Sequence, residues 1–261
     1  MSPVDEAFTP STRRADANRA ALPRRAFVEQ IMGMPISVHV REPGRRDQQT
    51  DTAVAQVFST LRKVDEVFST WRADSDLMRV RRGELDPHDA HPWLAEVQAL
   101  CTEAERLTHG LFSAGYDPRA GYVPTGLVKS WAVERSAAYL AEVPSISFCI
   151  NAGGDILAGV GRGDEPFPPW RLGIEDPRDR TRVHTMVALR SGGLATSGSA
   201  ARGAHVIDPR SGAPVSRPGS ASVWGPSLLW ADVWATALYV DPAQGQAALG
   251  AVDPAYRSLV L

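Results

Sequence analysis

The chain has 261 residues, 43% of them hydrophobic, with 28 basic against 30 acidic side chains. That balance describes an ordinary globular protein of one large or two closely joined domains, and it excludes the basic footprint of a nucleic-acid binder. Two cysteines exclude a disulfide framework and a thiolate metal cluster; Cys101 lies in a helical pattern and Cys149 in a strand pattern, and both read as buried apolar residues.

Residues 1–25 are rich in Arg, Ala, Pro, Ser and Asp without periodicity, which predicts a disordered N-terminal tail. No apolar run of signal-peptide or membrane-spanning length follows the start, so a cytoplasmic location is expected. Order is expected over residues 26–261. Ala26 to Arg41 alternates as two short strands broken at Gly33 and Pro35. The glycine between Met32 and Met34 suits either close approach to a flat ligand or a plain bulge. His39 reads as a strand side chain.

From Thr50 to Phe68, Val54, Val57, Phe58, Leu61, Val64 and Phe68 recur at spacings of three and four, the period of an amphipathic helix. Asp74 and Ser75 then cap a short helix, Trp71 either stacks on a ring or plugs a core, and Arg79, Arg81 and Arg82 read as a solvated face. Trp93 to Leu107 forms a further helix started by Pro92. His88, His91 and His109 lack the four-residue pairing of a zinc helix and are assigned to no metal. A glycine-punctuated loop from Gly110 leads to Thr125 and Gly126, which open another helix; its free N–H groups suit an anion, and Lys129 adds positive charge one turn in.

Ser145 to Asn151 reads as a strand, and the Gly153-Gly154 pair as either a hairpin turn or a tight crossing into the next one. These glycines do not precede a helix, so they are not a dinucleotide fingerprint. Trp170–Ile174, Val183–Leu189, Ser220–Trp224 and Arg257–Leu261 complete the strands. Between them, Ala195 to Gly212 is the densest polar run: Thr196, Ser197 and Gly198 can turn hydroxyls and amides toward a phosphate, Asp208-Pro-Arg-Ser-Gly reads as a turn, and His205 suits either acid–base work or a strand position. In the helix Leu229–Val240, Asp232 and Thr236 stand four apart and face the same way. A buried Asp there needs a cation, an arginine or free helix amides as partner.

Taken together, Met32-Gly-Met, Ser69-Thr-Trp-Arg-Ala-Asp-Ser-Asp-Leu, Gly110-Leu-Phe, Asn151-Ala-Gly-Gly-Asp-Ile, Ala195-Thr-Ser-Gly, His205-Val-Ile-Asp-Pro-Arg-Ser-Gly and Ala231-Asp-Val-Trp-Ala-Thr resemble, in order and spacing, the ApbE family of FAD:protein FMN transferases. The resemblance runs from about Phe27 to the C-terminus. It implies an α+β fold, related to the T-fold, of mixed sheets with packed helices and a flavin cleft between subdomains. It also implies FAD as substrate, Mg²⁺ at the pyrophosphate, and transfer of FMN to a Thr or Ser hydroxyl of an acceptor flavoprotein with release of AMP.

By the same resemblance, Asp232, Thr236 and the Gly126 carbonyl match the metal ligands. Met32, Trp71, Leu111, Phe112, Ser113, Val123, Lys129 and Ile207 match flavin contacts. His205 matches the catalytic histidine, with Asp208 as a second candidate base. Three positions depart from the family: Ser113 and Val123 stand where Asp is usual, and Ala235 where some members carry a second carboxylate. Two further readings accompany the transferase: a hydrolase cutting FAD to FMN and AMP, and a flavin-binding protein without chemistry.

Overall fold

The computed structural model describes residues 22–43, 47–115, 121–199 and 206–261. Most of the expected N-terminal tail, and His205, lie outside the described residues.

Strands β1 (Arg24–Ile31) and β2 (Met34–Arg41) form the first hairpin, and the ordered chain reaches back two residues beyond Ala26. Its turn puts Met32 at φ 54° and Gly33 at φ 72°. Two successive positive φ values match the twist of a two-residue hairpin; glycine adopts them freely, and Met32 does so at a cost on the order of 1 kcal/mol.

Helix α1 (Gln48–Phe68) begins on Asp47, whose carboxylate accepts from the Gln49 amide, and buries the apolar stripe that its spacing demands. Ser75 caps the short α2 (Asp76–Arg81), its hydroxyl accepting from the Met78 amide. After α3 (Trp93–Leu107) and α4 (Thr125–Ala141), strands β3 (Ser147–Ala152) and β4 (Asp155–Val160) turn on Gly153 and Gly154, at φ 64° and 103°. Of the two readings of this pair, the structure shows the hairpin.

Strands β5 (Trp170–Asp176) and β6 (Asp179–Leu189) form a separate two-stranded sheet. Then come β7 (Gly192–Gly198), the small hairpin β8 (Ile207–Asp208) and β9 (Ala213–Pro214), and β10 (Ser220–Gly225). Helices α5 (Leu228–Val240) and α6 (Pro242–Val252) and strand β11 (Arg257–Val260) close the chain.

The main sheet has seven strands in the order β1-β2-β3-β4-β7-β10-β11, with antiparallel ladders. Side chains alternate between its faces. On one face Phe148, Ile150, Leu157, Ala195, Ala221 and Val223 join the helices in the larger core. On the other, Cys149, Ala158 and Leu194 pack under Trp170, Leu172, Ile174 and Val187 of the β5–β6 hairpin. Both cysteines are free and buried.

Two elements differ from the sequence expectation. The polar run at Ala195-Thr-Ser-Gly is part of a strand, β7, paired with β4 and β10; the Thr196 hydroxyl bonds to Ser222 across the ladder and the Ser197 hydroxyl to Thr236 of α5. Helix α6 carries an apolar stripe too narrow to announce itself; Asp241 caps it and Pro242 occupies its first turn. Among the described residues no helix is long and apolar enough to cross a membrane.

Candidate functional site

Three buried carboxylates are present among the described residues: Glu42, Asp155 and Asp232. Glu42 is satisfied by Arg25 at 3.0 Å and by the Thr50 hydroxyl at 2.7 Å. The other two face one cleft of about 1090 Å³, walled by the β1–β2 turn, the segment after α1, the start of α4, the tip of the β5–β6 hairpin, β7 and α5.

Asp232 is 5% exposed on the first turns of α5, and its Oδ2 is buried with no hydrogen-bond partner. Lys129 Nζ lies 3.6 Å from that oxygen and in direct ion-pair contact with Asp155. Burial pushes the Asp232 carboxyl up to about 7; the Lys129 ammonium opposes the rise and the Asp155 charge adds to it. One turn on, the Thr236 and Ser197 hydroxyls share a hydrogen bond of 3.1 Å. Asp155, 3% exposed, also accepts from the Thr196 amide at 3.1 Å.

Strand parity explains this convergence. Asp155 shares its side of β4 with Leu157, and Ser197 its side of β7 with Ala195, so both polar groups point toward the helical layer. Helix α5 is pressed close to β7: a Cβ on Gly193 would lie 2.3 Å from Leu228 Cα. The helix is apolar nearly all round, as a helix buried between a sheet and its neighbours must be.

The cleft is lined by every expected metal-ligand and flavin-contact residue that the structure describes, while Asp208 is not among its lining. Met32 comes from the β1–β2 turn, Trp71 from the segment after α1, and Leu111, Phe112 and Ser113 from the segment after α3. Val123, Gly126 and Lys129 come from the start of α4, Ile207 from β8, and Asp232 and Thr236 from α5. Trp71 is 96% exposed, which removes the core-plug reading and leaves an indole at the rim. Ser113 donates to Glu105 of α3 at 3.2 Å, and Glu105 itself is not among the cleft-lining residues. Val206 and Ile207, next to His205, line the cleft. Asp208 is engaged by the Arg210 guanidinium at 2.9 and 3.0 Å, which holds its carboxyl below the ordinary value and makes it a poor base.

The donors suit a hard divalent cation. A buried carboxylate oxygen that accepts no hydrogen bond, a hydroxyl one turn away and an ammonium already drawn to the two carboxylates mark a spot that attracts cations. No group of three or more His, Cys, Asp or Glu residues that could hold a metal occurs among the described residues, so the protein alone offers a sparse set of ligands. Mg²⁺ commonly takes the remainder from water and ligand phosphates. Sequence reasoning gave no role to Asp155; its place right after a Gly-Gly turn was the available signal, but parity could be assigned only with the strand register.

The chain matches the model of the ApbE family over residues 32–121 and 124–256. It is 26% identical over 262 residues to the FAD:protein FMN transferase of Klebsiella pneumoniae (strain 342), covering 76% of this chain and 73% of that one. A shorter stretch of 113 residues is 35% identical to the Escherichia coli (strain K12) protein of the same name, covering 40% of this chain. In fold it is similar to the flavin transferase ApbE from Vibrio cholerae, with TM-score 0.72 and 20% identity over 91% of this chain and 97% of that one. The ApbE protein of Thermotoga maritima superposes with TM-score 0.73 at 17% identity, over 91% of this chain and 94% of that one.

Proposed function

The chain belongs to the ApbE family, and from that premise we propose that it is an FAD:protein FMN transferase. In this reading a Mg²⁺-dependent step moves the FMN half of FAD onto a Thr or Ser hydroxyl of an acceptor flavoprotein and releases AMP. The observation that carries the proposal is the buried Asp232 Oδ2, which accepts no hydrogen bond and has only the Lys129 ammonium at 3.6 Å beside it, opening on a cleft of dinucleotide size. Curated relatives bear the name FAD:protein FMN transferase, which supports the same activity.

The reaction exchanges the phosphoanhydride linkage of FAD for a phosphoester linkage to the acceptor. The acceptor oxygen bonds to the phosphorus of the FMN half, the bond from that phosphorus to the AMP oxygen breaks, and the hydroxyl proton leaves with a base. Mg²⁺, when bound, stabilises charge on the phosphate oxygens as a Lewis acid. Asp232, Thr236 and the Gly126 carbonyl would hold it, and the Lys129 ammonium adds fixed positive charge in the same cleft.

Met32, Trp71, Leu111, Phe112, Ser113, Val123 and Ile207 form the walls against which the flavin would lie. His205 takes the proton, a contribution on the order of 10²–10⁴ in rate. In this reading the transferase domain spans residues 26–261 and works in the cytoplasm.

Co-expression with candidate acceptor proteins, followed by intact-mass and peptide mass spectrometry, tests the proposal. The expected result is the added mass of an FMN group on a Thr or Ser of the acceptor, lost with Asp232→Ala. FMN and AMP released from FAD at the same rate with and without acceptor, and no modified acceptor, would make the protein a hydrolase instead.

A further inference from the structure

The Lys129 ammonium sits between two buried carboxylates but does not treat them alike. It is in direct contact with Asp155 and stands 3.6 Å from Asp232 Oδ2. Both oxygens of Asp155 are engaged, since Oδ2 meets the ammonium and Oδ1 accepts from the Thr196 amide at 3.1 Å. Thr196 is itself anchored to the Ser222 hydroxyl at 2.8 Å. The carboxylate is thus held by β7 and cannot follow the lysine, whereas the lysine ammonium is carried on a flexible four-carbon stem.

We propose that Asp155 is a positioning residue that holds the Lys129 ammonium off Asp232 and so keeps the Asp232 carboxylate available to a divalent cation. This rests on the reading of Asp232 as a cation ligand given above. With the charge of Asp155 removed, Asp232 is the carboxylate of the pair that remains. The ammonium then closes on it and occupies the place a cation needs. With all three groups ionised, local charge counts agree: they sum to one negative charge, Asp155→Asn brings them to zero, and Lys129→Met in that background returns them to one negative charge.

The probe is Mn²⁺ alone, titrated into the full chain without flavin or acceptor, with free metal read by electron paramagnetic resonance. Asn at 155 keeps the shape and an acceptor for the Thr196 amide. Asp155→Asn should weaken Mn²⁺ binding about tenfold or more, the usual scale for removing an outer-shell partner. Asp155→Asn with Lys129→Met should recover wild-type affinity, and Lys129→Met alone should bind at least as tightly as wild type. A crystal structure of Asp155→Asn should bring Lys129 Nζ within hydrogen-bonding distance of Asp232 Oδ2.

Unchanged affinity in Asp155→Asn, a double variant no better than the single one, or an ammonium that stays in place overturns the positioning role; a purely structural Asp155 would give the second result. Should Asp155→Asn fail to fold, weakened binding in Lys129→Met overturns the role and equal or tighter binding supports it. Absence of Mn²⁺ binding to wild type, or binding that Asp232→Asn leaves unaltered, overturns the reading of Asp232 and this proposal with it.

Discussion

Burial lifts the Asp232 carboxyl from 3.8 to about 7, with Lys129 pulling against the rise and Asp155 adding to it. In the cation-free protein the folded state therefore binds this proton more tightly than the unfolded chain does. The sign follows: the favourable contribution is complete below 3.8 and is lost as pH rises through about 7. At pH 8 the buried carboxylate should destabilise the fold, and Asp232→Asn should melt higher than wild type there in the absence of metal. Mg²⁺ should raise the wild-type melting temperature at pH 8 and leave that of Asp232→Asn unmoved. Differential scanning fluorimetry across pH, with and without Mg²⁺, checks both; a variant that melts lower than wild type at pH 8 without metal contradicts the argument.

At the scale of elements, α5 is the piece whose placement decides the site. Its start is held three ways: by Ser227, whose hydroxyl accepts from the Trp230 amide at 3.2 Å; by Glu134 of α4, whose carboxylate accepts from the Leu228 amide; and by the bare backbone of Gly193. Burial raises the Glu134 carboxyl above its ordinary value, the helix amides and Ser227 pulling it back. Glu134→Ala should cost about 1–3 kcal/mol by leaving buried amides unpaired, and Glu134→Gln, which keeps an acceptor, should cost less. Gly193→Ala drives a methyl into Leu228 and should cost about 1–3 kcal/mol. Chemical denaturation reads all three, and a neutral Gly193→Ala would contradict the close packing of α5 on β7.

Much of this was legible beforehand because the signals are local. The stripe Val54 to Phe68, the Ser75 cap and the Gly153-Gly154 turn each declare themselves within a few residues. Strand β7 did not, because its serine and threonine hydroxyls are satisfied by Ser222 and Thr236, which lie far along the chain.

At the scale of the whole molecule, one antiparallel sheet separates two cores, with helices on one face and the β5–β6 hairpin on the other. The cleft opens where the hairpin tip, the β1–β2 turn and the helical layer meet, so its residues come from nearly the whole chain length. The order of motifs carried the family resemblance and hence the site residues, and the structure brings those it describes to a single cavity. What order could not carry was the pairing of Lys129 with Asp155, or of Ser197 with Thr236, since both depend on strand register.

The central claim is that Asp232 and Thr236 grip a divalent cation against the diphosphate of FAD. Crystals grown with FAD and Mn²⁺, measured at the manganese absorption edge, test it most directly. The account predicts an anomalous peak about 2.0–2.2 Å from Asp232 Oδ2 and Thr236 Oγ1, with the diphosphate on its open side. Crystals that hold FAD in the cleft with no peak there, and with the Lys129 ammonium paired directly to Asp232, would contradict it.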